Sequence, residues 1–170
     1  MCTFALIQAV TNIYFSEQYK ASWVYYARPV GTPGNVMAGA FKAVYIKYYF
    51  PFAAVISVFV IALGGWTYIF DVLLAQMNIL IFVLITMRMG SAALPFSLKE
   101  QMKQRGGKAV IRMVVTLLAI PIIGGAHYLA VKFWMLKIIV LPLTGILCWM
   151  LWDSYIKTTW NAILQPDADE

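Results

Sequence analysis

Apolar residues in this chain fall in long runs, with neither the helical spacing of a surface helix nor the alternation of a half-buried strand. From Tyr48 to Met87 the only charged residue is Asp71, and from Ala109 to Trp152 the only ionisable ones are Arg112, His127, Lys132 and Lys137. A helix that crosses a bilayer needs about 20 mostly apolar residues, because a bare backbone polar group in hydrocarbon costs several kcal/mol. Each tract is about twice that length, so each predicts two crossings. The first pair is expected to turn near Gly64, Gly65 and Asp71, the second between His127 and Trp134. Runs such as Ala53 to Leu63 lack the alternating polarity of a membrane strand. The expected fold class is therefore all-α: a polytopic integral membrane protein with about four transmembrane helices arranged as two hairpins.

The first 43 residues are different. Met1 to Phe15 is apolar but short, contains Gln8, Thr11 and Asn12, and lacks the basic start of a signal peptide. It admits two readings, an interfacial helix or the end of a span whose first half lies outside this chain; the second is expected here. Ser16 to Asn35 mixes Glu17, Lys20 and Arg28 with Trp23, Tyr25 and Tyr26, and Pro29, Gly31, Pro33 and Gly34 are expected to interrupt any helix. This predicts an N-terminal membrane-surface segment. The chain divides accordingly into 1–43, a partial span with that cytoplasmic surface segment, 44–160, a four-helix transmembrane domain with a cytoplasmic loop at 88–108, and 161–170, a polar tail.

Composition agrees with the pattern. The chain is 62% hydrophobic and 12% charged, against about 45–50% and about 25% in soluble domains. The net charge of +6 lies at the flanks of the apolar runs, where it orients spans, so no nucleic-acid partner is expected. Four spans place Lys20, Arg28, Lys42, Lys47, Arg88, Lys99, Lys103, Arg105, Lys108, Arg112 and Lys157 on one side, and only Lys132 and Lys137 on the other. Basic residues are retained in the cytoplasm, so both ends of the four-span region are expected there. Tyr45, Tyr48, Tyr49, Trp149 and Trp152 then fall near the inner interface, and Trp66, Tyr68 and Trp134 near the outer one.

Candidate chemistry is sparse. One histidine cannot form a zincin pair, and Cys2 and Cys148 fit no metal-ligand spacing; Cys148 reads as a small buried hydrophobe. No catalytic, cofactor-binding or metal residue is expected, and the chain is not expected to be an enzyme. Gly107-Lys108 is not a phosphate-binding loop, because Met102 stands where its first glycine belongs. His127 reads as an interfacial hydrogen-bonding residue, with a proton relay or substrate contact as the sharper alternative. Arg112 reads as a snorkelling lipid anchor, Asp71 as a solvated turn residue, and Asp153 as half of a helical pair with Lys157. Pro51, Pro121 and Pro142 bend predicted spans, which suits either a moving protein or static kinks. Gly39 with Ala43, and Ala126 with Ala130, allow close helix approach. The stretch from Arg88 to Lys108 reads as topology control with attraction to anionic lipid, or, more sharply, as contact with a cytoplasmic partner.

The segments Ser16-Glu17-Gln18-Tyr19-Lys20-Ala21-Ser22-Trp23-Val24-Tyr25-Tyr26, Pro29-Val30, Pro33-Gly34, Gly39-Ala40-Phe41-Lys42-Ala43 and Ile46-Lys47-Tyr48-Tyr49-Phe50-Pro51 occur in that order, followed by Leu94-Pro95-Phe96-Ser97 and a closing pair of spans. In this the chain resembles the carboxy-terminal half of bacterial, exporter-like ABC transporter permeases. The resemblance implies a multi-pass subunit of the bacterial inner membrane that moves a substrate, usually outward, while a separate ATP-binding subunit hydrolyses ATP. It implies as partners the lipid bilayer, that ATP-binding subunit, and the missing permease portion or a second permease chain. It implies a coupling surface built from Lys20, Trp23, Arg28, Lys42, Lys47, Pro95, Phe96, Ser97, Lys99, Lys103 and Arg105. Such permeases are several hundred residues long, so the chain would be a portion of one. The rival readings are a small non-transporting membrane anchor or regulatory protein, a non-autonomous fragment, and an intramembrane enzyme, which needs polar groups facing one another inside the bilayer.

Overall fold

The fold is seen in a computed structural model that describes residues 2–27, 30–90, 92–99 and 107–163. Its helices are α1 (Cys2–Asn12), α2 (Trp23–Ala27), α3 (Pro33–Val44), α4 (Phe50–Gly64), α5 (Ile69–Met89), α6 (Gly107–Lys132) and α7 (Trp134–Ile156), with short 3-10 turns at Tyr19–Ser22, Trp66–Tyr68 and Trp160–Ala162. Among the described residues, extended pairing is confined to two isolated bridges, Phe15 with Leu98 and Ala92 with Ile163. The architecture is all-helical. Among the described residues, three helical stretches are long and apolar enough to cross a membrane: Pro33–Gly64, Trp66–Met89 and Trp134–Ile156. Where sequence predicts a fourth, α6 contributes a shorter apolar stretch, Leu117–Lys132. Length and composition are those of a membrane protein.

The first of these stretches is one continuous helix. Pro33 occupies its first turn after the extended Thr32, where proline's missing N–H costs nothing because that donor has no helical partner anyway. Pro33 and Gly34, expected to interrupt a helix, instead start one. Pro51 cannot donate to the carbonyl of Lys47, and the π-helical turn at Tyr45–Tyr49 widens the backbone just before it. The helix therefore bridges α3 and α4 without a break, and the expected division at 43/44 falls inside it. Its 32 residues rise about 48 Å, well beyond a hydrocarbon core of about 30 Å. The two halves differ in face. α3 buries Met37, Ala38, Phe41 and Val44 along one stripe, whereas α4 exposes Val55, Val58, Phe59 and Leu63.

Gly65 ends α4 with φ +89° and ψ 173°, a region essentially restricted to glycine. The turn thus lies where the paired glycines predict it. α5 then forms the centre of the molecule: Leu74, Ile81, Phe82, Val83, Leu84 and Met87 are buried, and 39% of its apolar window is inside the protein, against 11% for each of the other two stretches. α5 and α7 run parallel in a fixed register. Asp71 meets Lys137, Met77 meets Thr144 and Arg88 meets Ser154, all at a sequence offset of 66 or 67. α6 lies between them in sequence, ending at Lys132, and the extended Phe133 (φ −111°, ψ 107°) separates it from α7. That break falls inside the predicted turn.

α1 buries Leu6 and Val10, one turn apart, and Tyr14 follows at the same spacing beyond its end. All three join the core cluster that includes Phe41, Val83, Leu84, Leu94 and Tyr155. The chain after α1 is then tied to the segment after α5. Phe96 N donates to Ile13 O (2.7 Å), Leu98 N to Tyr14 O (2.9 Å) and Ser16 N to Leu98 O (3.0 Å). Residues 92–99, expected to be part of a polar cytoplasmic loop, are a docked part of the core.

Candidate functional site

Among the described residues, the docked segment carries the one non-glycine residue at positive φ. Ser97 N donates to Leu94 O at 3.3 Å, closing a turn with Pro95 second and Phe96 third at φ +58°, the pattern of a type II turn. Ser97 Oγ donates to the same carbonyl at 2.8 Å. A left-handed conformation at an aromatic residue costs on the order of 1–3 kcal/mol. Nevertheless the Phe96 ring, 54% exposed, is held away from the core, while Leu94 and Ser97 are buried and Pro95 is buried with them. Of the three turn residues expected to form the coupling surface, only Phe96 is presented. Pro95 and Ser97 build the turn beneath it, because both the proline ring and the hydroxyl are used in closing it.

Across from this turn, the 3-10 turn at Tyr19–Ser22 and α2 place Trp23, 66% exposed, beside Val24. A cleft of about 310 Å³ lies between them, lined by Ser16, Ala21, Val24, Tyr25, Pro95 and Phe96 among others. Lys20 is exposed nearby, and Lys99 Nζ stands 6.0 Å from the Tyr19 ring. Lys42, over the Trp152 ring at 5.5 Å, and Lys47, over Tyr48 at 5.5 Å, are exposed on the long helix and do not line the cleft. Arg28, Lys103 and Arg105 lie outside the described residues.

The same end of the molecule gathers Lys20, Lys42, Arg88, Lys99 and Lys157. Arg88 Nη2 donates to both the carbonyl and the hydroxyl of Ser154, and Lys157 pairs with Asp153 at 2.6 Å. An aromatic cluster of Phe41, Tyr45, Tyr49, Trp152 and Tyr155 fills the space between the long helix and the end of α7. Tyr14 and Tyr155 hydroxyls meet at 3.2 Å. The opposite end holds the Phe70–Trp134 pair, with ring centroids 6.4 Å apart.

The apolar helices are joined by polar groups that sequence reading does not pair. Asp71, expected as a solvated turn residue, lies in the first turn of α5 and makes a 2.5 Å ion pair with Lys137, their side chains only 12% and 8% exposed. The reason is packing: the parallel register brings the start of α7 against the start of α5, and each charge offsets the other's desolvation. Lys137 also stands 5.1 Å from the Trp134 ring. His127 Nδ1 meets Asn78 Nδ2 at 3.4 Å; Asn78 is nine residues into α5, or about 13 Å along it, so this histidine is engaged well within the helix packing. Tyr49 Oη donates to Gln76 Oε1 (2.5 Å), and Gln76 Nε2 to Ser57 Oγ (3.4 Å). α5 is therefore fastened to α7, α6 and the long helix by polar contacts to each. The Asp71, Asn78 and Gln76 links are separate and do not converge on one point.

Comparison with known protein families, with curated proteins and with solved structures finds no match to this chain.

Proposed function

We propose that this chain is a transmembrane portion of an ABC exporter permease in a bacterial inner membrane, which moves a substrate with ATP hydrolysed by a separate subunit. The observation that carries the reading is the strained, exposed Phe96 on a cleft at the basic end, whose other wall includes Val24 and Tyr25 of α2, next to the exposed Trp23. Strain of this kind persists where the surrounding structure enforces it, and it clusters at functional contacts. The ordered resemblance of residues 16–51 and 94–97 to permeases points to the same surface. In this reading the long helix, α5, α6 and α7 make four crossings as two hairpins, with the basic end and both termini of that region in the cytoplasm. An ATP-binding subunit docks on the cleft. Its movement reaches the spans through the backbone bonds between 13–16 and 96–98 and through the Tyr14–Tyr155 contact to α7. The exposed apolar face of α4 meets lipid and the remaining permease portion or a second permease chain.

The test is recovery of partners from native membranes. An ATP-binding subunit is expected to co-purify with the tagged chain. Trp23→Ala and Phe96→Asn are each expected to lower its recovery about tenfold, a loss of about 1.4 kcal/mol in binding, at unchanged melting temperature. Asparagine is chosen because it tolerates a left-handed backbone. Absence of any ATP-binding partner, or wild-type recovery with both variants, removes the reading. A second reading, a non-transporting anchor or regulatory protein, is favoured by the fastening of α5 to three helices, which opposes their relative movement. It predicts a stable complex without stimulated ATP hydrolysis.

A further inference from the structure

We propose that the cavity where α5 and α7 end is a binding site for a phosphate-bearing anion, filled in the membrane by an anionic phospholipid headgroup. The cavity has a volume of about 460 Å³, and its lining includes Met37, Met87, Arg88, Lys157, Thr158 and Thr159. Among the described residues that lining holds two cations and no carboxylate. Arg88 is not a loose surface charge: Nη2 is tied to Ser154, which leaves the other donors of the guanidinium outside that contact. A guanidinium positioned in this way offers parallel donors to two oxygens of a phosphate. Lys157 adds a mobile point charge at the rim, 72% exposed, shared at 2.6 Å with Asp153.

The floor is apolar. Met37 and Met87 are buried beneath the cations, with Tyr155, so the cavity pairs a cationic rim with an unbranched, adaptable hydrocarbon base. It lies at the end of two helices apolar enough to cross a bilayer, beside Trp152, whose ring packs on Tyr155. A headgroup phosphate at that depth has its glycerol and acyl chains next to the methionines. The inference needs only that α5 and α7 lie in a bilayer; it does not depend on the transporter reading.

The experiment is native mass spectrometry of the full chain released from detergent micelles doped with phosphatidylglycerol or phosphatidylcholine of matched chains. Retention of phosphatidylglycerol is expected to exceed that of phosphatidylcholine at least about fivefold. Arg88→Gln and Lys157→Gln are each expected to lower it severalfold. Asp153→Asn, which frees Lys157 from its partner, is expected to raise it about two- to threefold. If Arg88→Gln does not fold, the opposite signs of the Lys157 and Asp153 variants still decide, since a purely structural pair responds in the same direction to both. Inorganic phosphate is the second arm: retention of phosphate without lipid preference supports the anion site and makes its natural ligand a soluble phosphate. Equal retention of the two lipids with no phosphate bound, or unchanged retention in every variant, overturns the proposal.

Discussion

Asp71 is the residue whose setting differs most from its appearance in the chain. One acid in a 40-residue apolar tract reads as a turn, since charge at a bilayer centre is costly. What the tract does not display is Lys137, 66 positions away, which meets it at 2.5 Å in a nearly closed site. Asp71→Asn leaves that lysine buried without a counter-charge and is expected to cost about 3–5 kcal/mol, whereas Asp71→Leu with Lys137→Met together is expected to recover most of the loss. Reversible unfolding in bicelles measures both, and equal destabilisation by the single and double variants contradicts the pairing. Gly34 makes a similar point about backbone. It follows a proline and looks like a helix breaker, but a Cβ there overlaps the Ile156 carbonyl. Gly34→Ala is therefore expected to cost about 1–3 kcal/mol by forcing the long helix away from α7, read as a fall in melting temperature. Phe96 was legible as part of a loop, but its left-handed backbone and exposed ring were not, because nothing in Leu-Pro-Phe-Ser reveals that the segment on either side is buried.

At the scale of elements, the long apolar runs were legible because length and hydrophobicity suffice to mark a membrane helix. Their pairing was not. A helix that is apolar all round has no stripe to show which face meets which neighbour, so nothing in α5 or α7 announces a parallel pair. The same holds for α1, where burial of Leu6 and Val10 depends on α3 and α5 arriving from elsewhere. The register makes a direct prediction. In a background with both native cysteines replaced, Met77→Cys with Thr144→Cys, whose parent Sδ and Oγ1 atoms meet at 3.8 Å, is expected to form a disulfide under oxidation in preference to pairs out of this register. Met77→Cys with Leu136→Cys, about two turns away along α7, is expected to stay reduced. Cross-linking of the second pair in preference to the first, seen as a gel shift after cleavage between the helices, rules out the parallel register. The cross-link also bears on mechanism. On the proposed transporter reading, if α5 and α7 move as one unit, the disulfide is expected to leave the partner's ATP hydrolysis intact.

For the whole molecule the decisive quantity is the distribution of charge between its two ends. The aromatic cluster, the Arg88–Ser154 contact and the Lys157–Asp153 pair place Lys42, Arg88 and Lys157 together. At the other end Lys137 is neutralised by Asp71, and Lys132, over the Phe133 ring at 5.8 Å, stands as the other cation there among the described residues. Since about 2.5–3.5 kcal/mol opposes carrying each basic residue through a span centre, the basic end is expected to remain in the cytoplasm. A label at Asp71 would report burial instead of sidedness, so the probe for the far end belongs at Trp66, 80% exposed beside the Gly65 turn. In the cysteine-replaced background, Lys99→Cys is expected to react with a membrane-impermeant maleimide only in inverted vesicles. Trp66→Cys is expected to react only in intact, right-side-out cells. Reaction of both from one face would mean that α5 does not cross the bilayer, and the single apolar helix from Trp66 to Met89 would then have to lie within the membrane with both ends on one side, against a hydropathy and length that match a full crossing.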